Sequence, residues 1–142
     1  MKKLWSKSWK SSKQPRKQRK YIANAPLHIK KNFMSTHLSK DLQKKYSRRN
    51  IPIRKGDRVK ILRGQFKKTI GKIDSVDLKK LRVYIEGVQN IKKDGTKTSY
   101  PIHPSNLLIL ELNLEDKKRR KILERKTKAK ETKKEDKGAK KK

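Results

Sequence analysis

Regular apolar patterning in this chain is confined to about sixty of its 142 residues, roughly 51–112, and that limit decides what it can fold into. A domain of that size buries only about 60% of the surface its unfolded chain exposes. It is therefore marginal alone and firmer on a partner. The partner's charge follows from composition, because 45 Lys and Arg against 13 Asp and Glu give +32. Self-repulsion at that charge opposes compaction unless counter-charge is supplied. Nucleic acid is the first candidate and an anionic membrane surface the second. The longest dense apolar run, Leu107 to Leu110, is far short of the roughly 20 residues that span a bilayer. Residues 1–20 do not segregate apolar from charged side chains as an interfacial helix must, so no membrane partner is expected. The basic start, MKKLWSKSWKSSK, is followed by no apolar stretch, and no signal peptide is expected. There is no cysteine, which excludes disulfides and Cys-based zinc sites and fits a reducing compartment.

Within the patterned region, residues 54–76 read RKGDRVKILRGQFKKTIGKIDSV. A turn at Lys55, Gly56 and Asp57 leads into alternation, with Val59 and Ile61 on one face and Arg58 and Lys60 on the other. A basic loop follows (Arg63, Gly64, Gln65, Phe66, Lys67, Lys68), and then a second run carrying Gly71, Ile73 and Val76. Residues 81–86 alternate with Leu81, Val83 and Ile85 facing in. Val88 to Ile91 is a weaker strand, and Asp94 with Gly95 is a two-residue hairpin signal. The run from Thr96 to Ile102 returns from it, with Pro101 marking an edge or a strand end. A turn over 103–106 precedes the last strand, 107–112. Five or so short strands with hairpin connections predict a mainly β chain: a small antiparallel barrel with flanking helices and basic N- and C-terminal extensions.

The flanks divide as follows: a basic arm over 1–23, a helical segment over 24–50, the barrel over 51–112, a basic helix over 113–127 and a Lys-rich tail over 128–142. The arm holds Lys2, Lys3, Lys7, Lys10, Lys13, Arg16, Lys17, Arg19 and Lys20, with no acid before Asp41, and is expected to be disordered alone. Its Trp5, Trp9 and Tyr21 either stack on unpaired bases or pack on the domain's own surface. In the helical segment Pro26 suits a first-turn position. Ser39 is the expected N-cap of a helix over 39–47, with Asp41 in its first turn and Lys44 and Lys45 in its last. Leu38, Leu42 and Tyr46, at i, i+4 and i+8, form its apolar stripe. In the basic helix Asn113 is the expected cap. With only Leu114, Ile122 and Leu123 apolar, that helix is expected to be solvated or to lie on the partner. The tail reads as solvated low-complexity sequence.

Catalytic chemistry finds no constellation. His28, His37 and His103 lie in separate segments without metal-ligand spacing. Asp57, Asp74, Asp77 and Glu86 flank strands and turns and read as charge balance. The stretch from Gly64 to Lys72 mimics a nucleotide-binding loop, but six residues separate its glycines where four are needed. Ile73 also stands where a Ser or Thr would bind magnesium. The chain reads as a binding protein without cofactor, metal or small-molecule substrate.

The sequence around Lys55, Gly56, Asp57 and Val59, then Gly64, then Gly71, Lys72 and Ile73, resembles a KOW motif. Further matches lie at Asn24 to Pro26, Leu38 to Lys40, Tyr46, Ile51 to Lys55, Val83 to Glu86, Gly95 and Thr96, Ile102 to Ser105, and Arg119 to Arg125. Together they resemble the eukaryotic and archaeal type of the universal large-subunit ribosomal protein twenty-four family (twenty-six in the older eukaryotic numbering) over roughly residues 14 to 126. The resemblance implies an SH3-like KOW barrel on large-subunit rRNA, joined early in assembly near the end of the peptide exit tunnel. It also implies neighbouring ribosomal proteins as partners, with the 5.8S-type segment among the contacts in a eukaryote. The cytosolic ribosome is the expected location, with a nucleolar assembly stage in a eukaryote. The family commonly has glycine at the position of Lys68, so the lysine puts the shape of this loop in question.

The candidate RNA-binding residues are Arg63, Gln65, Phe66, Lys67 and Lys68 in the loop, with Arg54, Lys55, Lys72 and His103 around it. A second set comprises Arg16, Lys17, Arg19, Lys20, His28, Lys30, Lys31, Arg48 and Arg49 in the arm and helical segment. Gly56, Gly64 and Gly71 are expected to serve backbone geometry. The alternative reading is a KOW-bearing transcription or RNA-processing factor that recruits protein partners.

Overall fold

The computed structural model describes residues 12–125 together with Trp5, Ser6 and Ser8. The expectations for Trp9, for Lys2, Lys3, Lys7 and Lys10 and for the Lys-rich tail lie outside the described residues.

Among the described residues there are eight strands: β1 Ser35–Leu38, β2 Asn50–Pro52, β3 Arg58–Ile61, β4 Ile70–Asp77, β5 Arg82–Ile85, β6 Gln89–Ile91, β7 Lys97–Ser99 and β8 Leu107–Glu111. The helices are α1 Pro15–Asn24, α2 Leu27–Phe33, α3 Lys40–Tyr46, a 3-10 turn Pro104–Asn106, and α4 over 117–125. Six strands form one sheet in the order β2-β1-β8-β3-β4-β5, and β6-β7 is a separate ribbon. The hydrogen-bonded path also turns back on itself. Val83 of β5 exchanges both backbone bonds with Ile102 (2.8 and 2.9 Å), and Ile102 leads through the 3-10 turn into β8. This closure, with bulges between Arg58 and Val59 and between Ile73 and Ser75, bends the sheet into a small barrel-like domain with flanking helices.

The core follows from the alternation. Val59, Ile61, Ile73, Val83, Ile85, Leu107 and Ile109 point inward and are buried, joined by Met34, Leu38, Ile51, Ile53, Val88 and Ile102. Burying side chains of this type stabilises by roughly 1.5–3 kcal/mol each. Several expectations need correction. The segment 24–50 is not wholly helical, because it contributes β1 and β2 to the sheet, and β1 runs parallel to β8. The barrel is therefore not purely antiparallel. Leu38 belongs to β1, not to a helical stripe, although Leu42 and Tyr46 of α3 pack on the same core. Pro26 is the N-cap residue of α2 instead of sitting in its first turn, whereas Ser39 does cap α3, its hydroxyl accepting from the Leu42 N–H. Leu81 lies in the turn before β5 with φ +56°. Beyond Val88, β6 is wholly exposed. The Asp94–Gly95 signal gives a hairpin closed by Lys92 N–H donating to the Thr96 carbonyl. Three residues lie between them and Gly95 is left-handed, the three-residue type with a bulge glycine.

The basic arm is also corrected. Pro15 starts a ten-residue helix, α1, at the position where its missing N–H costs nothing. The aromatics pack on each other, with Trp5 against Tyr21 (centroids 5.1 Å) and Tyr21 against Phe33 (6.1 Å). These contacts hold α1 against α2 and select packing on the domain's own surface for Trp5 and Tyr21.

The largest departure concerns α4. Asn113 does not cap it. Its side chain instead accepts from the Glu115 N–H, and Asp116 takes the capping place, accepting from the Lys118 N–H at 2.7 Å. The helix is docked, not solvated: Leu123 is 2% exposed and Arg119 2% exposed. Arg119 reaches Asp57, which is fully buried, through two parallel bonds of 2.5 and 2.7 Å. Asp57 therefore does far more than balance charge. Its remaining lone pairs accept from the Arg54 and Asn113 N–H groups (3.0 and 2.9 Å), which satisfies a carboxylate that would otherwise be costly to bury.

Candidate nucleic-acid interface

The β3–β4 connection, residues 62–69, is held by its own backbone. Lys68 N–H donates to the Ile61 carbonyl and Ile61 N–H to the Thr69 carbonyl, both at 2.9 Å, continuing the ladder to the base of the loop. Inside it Lys67 N–H donates to Gly64 (3.1 Å) and Thr69 N–H to Phe66 (3.2 Å). Leu62 N–H donates to Asn106 (2.8 Å), tying the loop to the 3-10 turn. Two residues take left-handed conformations, Gly64 at φ +92° and Lys68 at φ +75°. The lysine leaves the turn intact, because Lys68 adopts the backbone conformation that suits glycine. A non-glycine residue there costs about 1 kcal/mol or more, and the three bonds that flank it hold it in place.

On this frame Arg63, Gln65, Lys67 and Lys68 are exposed, and Phe66 is half-buried with its ring 5.2 Å from that of Tyr100. None of the ion pairs among the described residues involves Arg63, Lys67 or Lys68. Lys72 lies on β4 directly across from Arg58. Arg58 is paired with Glu111 at 3.0 Å. Like charges opposite one another are unfavourable, so this row also favours an external anion beside Lys72.

His103 faces the same loop. Its Nδ1 lies 2.9 Å from the Ser105 hydroxyl and caps the 3-10 turn. Burial first, and then the Arg82 charge, push its pKa below the ordinary histidine value, so the ring is neutral at physiological pH. Arg63, Gln65, Phe66 and His103 line one depression of about 220 Å³ together with Arg82, Tyr100 and Asn106. Sequence reasoning missed these last three. Alternation over 81–86 places Arg82 outward, but nothing local says that its neighbour is the 62–69 loop.

The other candidates are dispersed. Arg16, Lys17, Arg19 and Lys20 are exposed along α1, and His28 and Lys31 along α2. Lys30 is half-buried and reaches the Lys79 carbonyl at 3.5 Å. Arg48 is half-buried just after α3, with its Nε buried and unpartnered, and Arg49 beside it is exposed. Arg54 and Lys55 are already engaged, Arg54 by Asp116 and Lys55 by Asp74 at 3.5 Å. They line a second depression with Lys31, but Asp74, Glu115 and Asp116 line it too. Its charge is largely compensated, in contrast to that of the loop. The acids at turns have local work. Asp77 accepts from the Lys79 and Lys80 N–H groups and Asp94 from Thr96, and these bonds hold both carboxyls below their ordinary pKa, led by Lys80 for Asp77 and by the Thr96 hydroxyl for Asp94. Among the described residues no cluster of His, Cys, Asp or Glu could hold a metal ion, and no helix is long and apolar enough to cross a membrane.

The barrel thus carries a self-bonded loop whose cations have no acid partner among the described residues, and comparison with known proteins gives the chain a family. The model of the ribosomal proteins L26 of eukaryotes and their archaeal L24 counterparts matches residues 12–126. The chain belongs to this family. The match spans the residues that carry the sequence resemblance, 14 to 126, and reaches from before α1 to the end of α4. A curated relative, the large ribosomal subunit protein uL24 of Methanosphaera stadtmanae, is 53% identical over 115 residues. That alignment covers 81% of this chain and 98% of the relative. Members of the L26 family are structural ribosomal proteins, not enzymes, and the partner-recruiting transcription factor loses its support.

Proposed function

We propose that this chain is a structural constituent of the large ribosomal subunit that binds rRNA through the 62–69 loop. The observation that carries the reading is the self-bonded loop presenting Arg63, Lys67 and Lys68, none of them paired with an acid among the described residues. Lys72 adds a further cation along β4, opposite Arg58. A-form RNA has a deep, narrow major groove, so such a loop reads backbone, shape and 2′-hydroxyls more than base sequence. Arg16, Lys17, Arg19 and Lys20 on α1, with His28, Lys31, Arg48 and Arg49, form a second set of phosphate contacts. Arg54, Lys55 and Lys30 have intramolecular partners and contribute less.

Following the family resemblance, the protein joins large-subunit rRNA during assembly and sits near the end of the exit tunnel of the cytosolic ribosome. Its neighbours there are other large-subunit proteins and, in a eukaryote, the 5.8S-type segment, with a nucleolar stage of assembly. The test is co-sedimentation of the tagged full chain from its own cells. It is expected with large-subunit particles and their precursors and absent from free small subunits. Recovery only at the top of the gradient, or only with transcription complexes, would contradict the reading.

A further inference from the structure

The depression between the 62–69 loop and the 100–106 segment has a chemistry that phosphate binding alone does not explain. Its floor is apolar, formed by the buried Ile61 and Ile102. One side is an aromatic patch, the contacting Phe66 and Tyr100 rings, tilted 56° to each other at 5.2 Å. Its rim carries two carboxamides, Gln65 and Asn106, and two cations, Arg63 and Arg82. Among the described residues no acid lines it, whereas three acids line the depression beside Arg54.

An aromatic patch offers a flat ring system a stacking surface. A carboxamide carries both a donor and an acceptor and can pair with the edge of a base. Guanidinium groups at the rim suit the phosphates on either side. The volume of about 220 Å³ lies below the roughly 300–1,000 Å³ of sites for drug-sized ligands, so it admits one ring system and not two. The backbone around it is also fixed before any ligand arrives. Leu62 N–H bonds to the Asn106 carbonyl at 2.8 Å, and Lys68 N–H to the Ile61 carbonyl at 2.9 Å.

We propose that this depression is a binding site for one unpaired nucleotide, extruded from an RNA helix whose flanking phosphates are held by the 62–69 loop. Resting on the rRNA-binding reading above, the inference adds a shape requirement. The RNA presents a bulged or loop nucleotide at this point, and its base lies against the outer face of the Phe66–Tyr100 pair while Gln65 meets its edge.

The experiment compares the full chain's affinity, at one salt concentration, for two RNAs of equal length. One is a continuous duplex; the other carries a single bulged 2-aminopurine, whose fluorescence reports stacking. Phosphate contacts contribute alike to both, so the ratio of affinities isolates the depression. The bulged RNA is expected to bind on the order of tenfold more tightly, with a change in 2-aminopurine fluorescence, because stacking on an aromatic side chain is worth this much or more. Phe66→Leu keeps apolar packing but removes the ring, and Gln65→Ala alters an exposed side chain without touching the core. Phe66→Leu should bring the ratio to near one and Gln65→Ala should lower it, the ratio within each protein cancelling any change in its affinity for the duplex. A wild-type ratio near one would overturn the proposal, as would a ratio unchanged in both variants. Equal competition by free adenosine monophosphate would overturn the assignment to RNA in favour of a free nucleotide. Failure to bind either RNA would instead remove the rRNA-binding reading itself.

Discussion

At the scale of single residues, the β3–β4 loop combines a left-handed backbone with an exposed cation at one position, Lys68. Lys68 sits at φ +75°, where the Cβ of an L residue crowds its own backbone, yet its N–H is fixed to Ile61 and its ammonium group faces solvent. Lys68→Gly is expected to raise stability by about 0.5–1 kcal/mol in urea unfolding, the relief of strain outweighing the extra entropy of glycine in the unfolded chain. The same variant is expected to weaken RNA binding, because one cation is lost. A variant less stable than wild type would show that the left-handed conformation carries no strain. Gly71 is fixed for a different reason. A Cβ there would lie 2.7 Å from Ile85 Cγ2 and 2.9 Å from the Glu86 carbonyl, so close approach of β4 and β5 excludes a side chain.

Among elements, α4 is joined to the barrel by one buried ion pair. Arg119 and Asp57 are 62 residues apart in sequence, and their contact collects the turn before β3, the 113–116 segment and α4 around one carboxylate. Arg119 also donates to the carbonyls of Asn113 and Pro52 (2.9 and 3.3 Å). Removing one partner of such a pair leaves a buried charge uncompensated, at about 3–5 kcal/mol, whereas replacing both by apolar groups is often tolerated. Arg119→Met and Asp57→Leu are each expected to cost about that much in urea unfolding of the full chain, and the double variant much less than their sum. Additive losses would show that the two side chains act independently. A loss under about 0.5 kcal/mol for Arg119→Met would show that α4 is a solvated appendage.

Across the whole molecule, what is legible in the sequence is what local chemistry controls. Val59 and Ile61, Val83 and Ile85, and Leu107 and Ile109 alternate because one face of each strand is buried, so their strands can be read directly. Ser39 caps a helix and Gly95 turns a hairpin through bonds to residues a few positions away. Contacts whose partners are distant leave no such trace. Asp57 looks like any turn acid until Arg119 is beside it, and α4 looks solvated because its docking depends on one arginine and one leucine. Leu38 reads as helical because its spacing to Leu42 and Tyr46 is helical. In the fold all three face the core, from a strand end and from the helix after it. For the candidate site, the loop cations are legible as a cluster in sequence. The convergence of Arg82, Tyr100 and Asn106 on that loop is not, because it arises from closure of the barrel at Val83 and Ile102.

Charge at this scale sets the mode of binding. With a net +32, association with RNA must release counterions, and the slope of log affinity against log salt counts the phosphates neutralised, at about 0.7–0.9 each. The central claim is that Arg63, Lys67 and Lys68 are among the groups that neutralise them. The most direct test is therefore that slope for the full chain on large-subunit rRNA, measured for wild type and for Arg63→Ala/Lys67→Ala/Lys68→Gly, the glycine avoiding new strain at position 68. A steep slope is predicted for wild type, shallower in the variant by about two to three units. A flat salt response in wild type, or the same slope and affinity in both proteins, would contradict it.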